Sequence, residues 1–364
     1  MILRFGLVAS VFISCILLCD QAKWADACCP APPMGRPVVN ADQTVIILWD
    51  AANKTQHFIR QASFKSDAKD FGFIVPSPSQ PELSESGNDA FPTLRKLTEP
   101  ESVTRRWEGG GGISCSCGAR SGAPALGVAE PPVKVLDEKF VADLHATVLE
   151  AKSANALVNW LKENGYAFSP EIEAWAQPYV AQGWKFTALK VAKDKDAKDN
   201  KVAASALRIS FKTDRPLFPY REPDYKSAVE TLGVKSRLLR IYFIADARYE
   251  GELIKANPWT GKVAWAGKVS ADDRKKLLEH LKLPETIGPA QWWLTEFEDN
   301  WPYRVAPADV YFSRSADQGA VKRDPIVRWT AAPFPRDGAT YALIVVAIAL
   351  PVWSRLRRRG SENT

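Results

Sequence analysis

Four cysteines in two close pairs, Cys28-Cys29 and Cys115-x-Cys117, form the one cluster whose side chains could do chemistry together. In an oxidising compartment two such pairs read first as two disulfides. Vicinal cysteines rarely bond to each other because the ring is strained, so Cys28 and Cys29 each reach toward Cys115 or Cys117. Closing a loop of roughly ninety residues this way stabilises by about 4 kcal/mol in the chain-entropy account. The sharper alternative is a metal site: CxC can hold a soft ion such as Cu(I), although neither spacing is the CxxC of a zinc ribbon. A thiol redox role lacks the CxxC that would lower a thiol's pKa. The expectation is therefore no bound metal and no cofactor.

The other reactive types are sparse. His57, His145 and His280 are the only histidines, and neither HExxH nor GxSxG occurs. A Ser-His-Asp arrangement is open to the fold but nothing in the spacing points to one. The glycine run at 109–112 has no Gly-Lys pair and so is not a phosphate loop. Trp292-Trp293 and Trp301 read first as core, with an aromatic ligand platform as the alternative. No pattern demands acid-base work, so the reading leans away from an enzyme.

Both ends of the chain point at a bilayer. Residues 1–27 carry Arg4, an apolar stretch and the triplet Ala25-Asp26-Ala27, which reads as a secretory signal cleaved after Ala27. An uncleaved anchor and a lipid-modified Cys28 are weaker alternatives. Residues 338–354 contain no charge and are followed at once by Arg355, Arg357, Arg358 and Arg359. Seventeen residues at 1.5 Å each give roughly 25 Å, a little short of a hydrocarbon core, with Tyr341 and Trp353 at the two interfaces. The arginines stay inside, which places residues 28–335 outside. These four arginines against Glu362 account for +3 of the formal +6. What remains is too weak and scattered for nucleic-acid binding.

Between the ends, residues 43–81 organise the rest. The run 44–49 is apolar on both faces, which describes a central buried strand. Polar insertions at 50–54 and 65–70 suggest a meander with 57–64 and 71–75. Further strands are expected at 140–148, 184–191, 206–212 and 237–247, with short aromatic ones at 291–297 and 310–313. Helices are expected at 90–97, from Ser153 to about 162, from Pro170 to about 182, and from Ser270 to about 282. The mixture lacks βαβ alternation, so the fold class is α+β: mixed, largely antiparallel sheet with helices packed on one face, plus a single C-terminal transmembrane helix. The organisation is 1–27 signal peptide, 28–335 extracytoplasmic region with possible halves 28–125 and 126–335, and 336–364 span and basic tail. The halves rest on a short echo, SFKSD at 63–67 and SFKTD at 210–214.

ADQTVIILWDAANKTQHFIRQASF, DFGFIVPSPSQPE, the Gly/Cys loop, ALVNWLKENGYAF, PYVAQGWKFTALKV and SFKTDRPLFPYREP together resemble the bacterial DUF2330 family. The likeness covers about residues 28–317. It implies an exported bacterial protein, often with a C-terminal hydrophobic segment and arginines, and supplies no catalytic residue. The combined expectation is a protein anchored in the bacterial inner membrane by one C-terminal helix, with its main domain on the outer side. Its role would be binding or structure toward an unknown envelope partner or ligand; the alternative is an envelope enzyme or metal-handling protein using the cysteines.

Overall fold

Strand β2 (Gln43–Asp50) lies in the middle of a seven-stranded sheet, and all eight of its residues but Thr44 are buried. The structure, a computed structural model, describes residues 30–31, 43–60, 63–65, 72–106, 133–142, 144–166, 170–191, 201–203, 206–224, 237–253, 258–301 and 308–330. On one side β2 forms an antiparallel hairpin with β3 (Thr55–Arg60), then β12 (Ala206–Lys212) and β6 (Glu82–Ser86). On the other it runs parallel to β14 (Arg237–Ala245), followed by antiparallel β17 (Trp293–Trp301) and β16 (Lys262–Lys268). The anticipated meander stops after β3, because β12 takes that strand's free edge.

The third apolar run, β5 (Gly72–Ser77), crosses to a second sheet of five antiparallel strands. Its order is β1 (Pro30–Ala31), β5, β10 (Lys185–Val191), β9 (Leu144–Ala151) and β8 (Val133–Val141). Where one strand was expected at 140–148, the chain makes the β8–β9 hairpin, turning at Ala142 with φ 53°. Phe140, apolar in sequence, is 63% exposed on the edge strand. A short sheet of β13 (Leu217–Phe218), β18 (Val310–Arg314) and β15 (Tyr249–Leu253) completes the larger unit, and β4 (Ser63–Lys65) pairs with β11 (Lys201–Ala203).

The period-2 geometry of strands explains the layers. Val45, Ile47 and Trp49 of β2 share one core with Phe73 and Val75 of β5 and Ala146 and Val148 of β9, so the two sheets face each other. The alternate residues Ile46 and Leu48 pack under α1 (Ala90–Thr98) and α4 (Ala271–His280). On the second sheet Ile74, Leu149, Phe186 and Ala188 pack under α2 (Ala154–Glu163) and α3 (Pro170–Ala181). The class is α+β, and the helices lie on the outer face of both sheets rather than on one face of one. Four layers result because β2 and β5 are apolar on both sides. Ser153 caps α2 through the Ala156 N–H at 3.1 Å, and Ser270 caps α4 through Asp273 N–H at 3.1 Å, as the sequence implies.

The chain divides into a larger unit, Met1–Glu99 with Cys117–Arg323, and a smaller one, Pro100–Ser116 with Asp324–Thr364. In the smaller, β7 (Ser102–Arg106) runs parallel to β19 (Ile326–Thr330). Among the described residues no helix is long and apolar enough to cross a membrane. The expected signal segment at 1–27, the expected span at 338–354, Tyr341, Trp353 and the terminal arginines all lie outside the described residues.

Candidate functional site

Polar groups converge inside the larger unit on residues 215–223, RPLFPYREP, one of the segments that carry the family likeness. Pro216 and Pro219 limit β13 to two residues, so the backbone here needs partners outside a ladder. Gln56 of β3 supplies them: its amide donates to Leu217 O at 2.8 Å and accepts from Leu217 N at 2.8 Å. Two buried carboxylates hold the rest. Asp309, just before β18, accepts from Tyr220 N at 3.1 Å, Arg221 N at 3.2 Å and the Tyr179 hydroxyl at 2.7 Å. Trp175 of α3 donates to Arg221 O at 2.9 Å. Asp299 of β17 accepts from the Tyr220 hydroxyl at 2.5 Å, Trp259 Nε1 at 3.2 Å and Thr260 Oγ1 at 2.7 Å.

An ionised carboxylate only accepts, and buried acids persist when donors surround them. Burial pushes Asp309 above the usual carboxylate range, and the Tyr179 hydroxyl, the Arg221 and Tyr220 amides and the Arg221 charge pull against it. Tyr220 touches both acids, one through its amide and the other through its hydroxyl, so a single residue couples them. The arrangement orients a loop of the chain itself; it is built to hold.

Trp259 completes the cluster by its packing. A Cβ placed on Gly251 would lie 2.6 Å from the indole, and one on Gly261 2.4 Å, so the ring occupies a slot between two glycines. Gly251→Ala must displace the ring and with it the bond to Asp299. Overpacking of this kind costs about 2 kcal/mol, and the expected result is a lower urea midpoint at unchanged m-value.

The second polar constellation crosses three strands on the helix-covered face of the seven-stranded sheet. His57 Nδ1 and Ser210 Oγ, register partners on β3 and β12, lie 2.8 Å apart. Asp50 lies diagonally across on β2 and is bonded to Asn53 through its backbone N at 3.0 Å and side-chain amide at 2.8 Å. Burial raises the Asp50 pKa, but these bonds and the Gly288 amide outweigh it and the net shift is downward. Burial, with Arg208 and Lys212 beside it, lowers His57 to about 4 despite the pull of Asp50. A triad would need the acid bonded to the imidazole and a base poised near neutrality. Here the acid is spent on a turn and the imidazole is a weak base.

Elsewhere, His145 is exposed and paired with Glu138 at 3.0 Å. His280 bonds Thr93 Oγ1 at 3.1 Å at the α1–α4 contact. Trp292 and Trp293 are buried, which removes them from any exposed ligand platform. Cys28, Cys29, Cys115 and Cys117 lie outside the described residues, and among those described no three His, Cys, Asp or Glu side chains gather as a metal site would require. The acid cluster has no motif in the sequence, where Asp299 and Asp309 resemble solvated charges; the one signal there is the density of aromatic and proline residues in the PYREP and NPWTG segments.

The profile of a family described as uncharacterized proteins conserved in bacteria matches residues 24–312. The chain belongs to the DUF2330 family. The match spans both facing sheets of this DUF2330 protein, all four described helices and both buried acids. No curated protein and no solved structure matches the chain.

Proposed function

We propose that this DUF2330 protein is an exported, membrane-tethered binding or structural component of the bacterial envelope. The observation that supports it is the use made of the buried acids. Asp299 and Asp309 spend their lone pairs on the chain's own donors, fixing residues 215–223 on a four-layered frame. A frame that invests its buried charge in rigidity suits presentation of a surface to a partner. The uncharged run at 338–354 with the arginines behind it supplies the tether, and residues 1–27 the export signal.

Reporter fusions test the topology. An enzyme that folds only outside the cytoplasm is expected to be active when fused after Asp317 and inactive when fused after Thr364. Activity of a cytosol-only reporter at Asp317 would sink the proposal.

A further inference from the structure

After β18 the chain does not leave the larger unit directly. It first winds around Arg248: Ser315 N and Gln318 Nε2 both donate to Arg248 O at 3.0 Å, and Arg248 N donates to Gln318 Oε1 at 3.0 Å. The Arg248 guanidinium bonds Gly319 O at 2.9 Å and Asp317 at 2.6 Å, but Asp317 is largely exposed, which makes that ion pair weak. Val321 then exchanges two backbone hydrogen bonds of 2.8 Å with Ala266, on the open edge of β16. Two residues later the Arg323 side chain reaches the helix-covered face of the sheet.

There it completes an alternating ring of four charges. Arg323 lies 2.9 Å from Glu296 and 2.8 Å from Glu298, and Arg240 lies 2.8 Å and 2.6 Å from the same two carboxylates. Arg323 Nε also donates to Thr98 O at 3.0 Å. Glu296 is 1% exposed and both arginines are largely covered, so water screens this ring far less than it screens the Asp317 pair. The planar fork of arginine serves two carboxylates and a carbonyl at once, which a lysine ammonium does less well. Thr98 and Arg323 stand one residue and none, respectively, from the points where the chain passes out of the larger unit.

We propose that Arg323 is a latch that locks residues 315–323 around the β16 edge and holds together the two points where the chain leaves the larger unit. β18 contributes to the core between the sheets, whereas Glu296 and Glu298 lie on the other face, so the strap rounds the sheet edge and cannot be pulled straight off. A pull that reaches Asp324 meets the ring of four charges before the two Val321 bonds can peel. The latch stands on these contacts whether or not the tail spans a membrane; if it does, this is where the tether's load arrives.

Hydrogen exchange on the full chain in detergent tests it, comparing wild type with Arg323→Ala and Arg323→Lys. The expected result is at least about tenfold faster exchange of the Val321 amide in Arg323→Ala, an intermediate value in Arg323→Lys, and unchanged protection in β2 and β14. Val321 protection within about twofold of wild type would overturn the latch. So would loss of protection throughout β2 and β14, because the strap would then not be separable from the core. Reporter topology is read independently, so failure of the tether proposal and failure of the latch are distinguishable.

Discussion

Asp299→Ala is expected to cost about 3 kcal/mol of folding stability, the largest effect of any single substitution in the acid cluster. Three donors lose their acceptor together: the Tyr220 hydroxyl, Trp259 Nε1 and Thr260 Oγ1. Asp299 is 1% exposed, so water does not simply take its place. A buried donor left unmade costs about 1–3 kcal/mol, and part of that sum is returned because a charge no longer has to be desolvated. Tyr220→Phe removes one donor and leaves the acid two, so it is expected to cost about half as much. Asp299→Asn falls between, since its amide turns at least one NH toward a donor. Equilibrium urea unfolding of the three variants gives the order directly. A loss under about 1 kcal/mol for Asp299→Ala would mean that the loop 215–223 is held by packing and that the acid is incidental.

Local chemistry leaves a trace in the sequence, and contacts between distant segments do not. β2 was legible because apolar residues on both faces leave a strand nowhere to go but the middle. The caps Ser153 and Ser270 were legible because a side-chain acceptor three residues before a free N–H is local chemistry. The crossing of β5 into another sheet was not, since strand pairing is decided by which edges remain free. The β8–β9 hairpin was hidden too: Ala142 turns the chain at φ 53°, where glycine or asparagine would have announced it. The acids are the extreme case. Nothing local distinguishes Asp299 or Asp309 from the many solvated carboxylates, and only the arrival of Tyr179, Tyr220 and Trp259 from distant segments makes them buried hubs. Arg323 is alike, with nothing local to mark it until β16 and β17 are placed beside it.

His57 has a measurable signature in acid. In the unfolded chain its imidazole takes up a proton near the ordinary value of 6.5, whereas in the folded protein burial, Arg208 and Lys212 hold protonation off until about 4. Between those two values the unfolded state binds the extra proton, so falling pH favours unfolding. The contribution is fully present above 6.5, drains away as pH falls toward 4, and changes no further below that. A shift of this size corresponds to roughly 3 kcal/mol, and His57 is 7% exposed, so solvent screening does little to reduce it. Asp50, with its pKa lowered, also destabilises on acidification, but through protonation below its ordinary 3.8, beneath the window that His57 governs. His57→Asn keeps a polar partner for Ser210 Oγ and does not titrate, so its stability, measured by urea unfolding, is expected to fall less steeply than wild type from pH 6.5 to 4. Parallel curves for the two proteins across that window would show that the ring is protonated in place without penalty, and that the 2.8 Å contact with Ser210 is made by an imidazolium as readily as by a neutral ring.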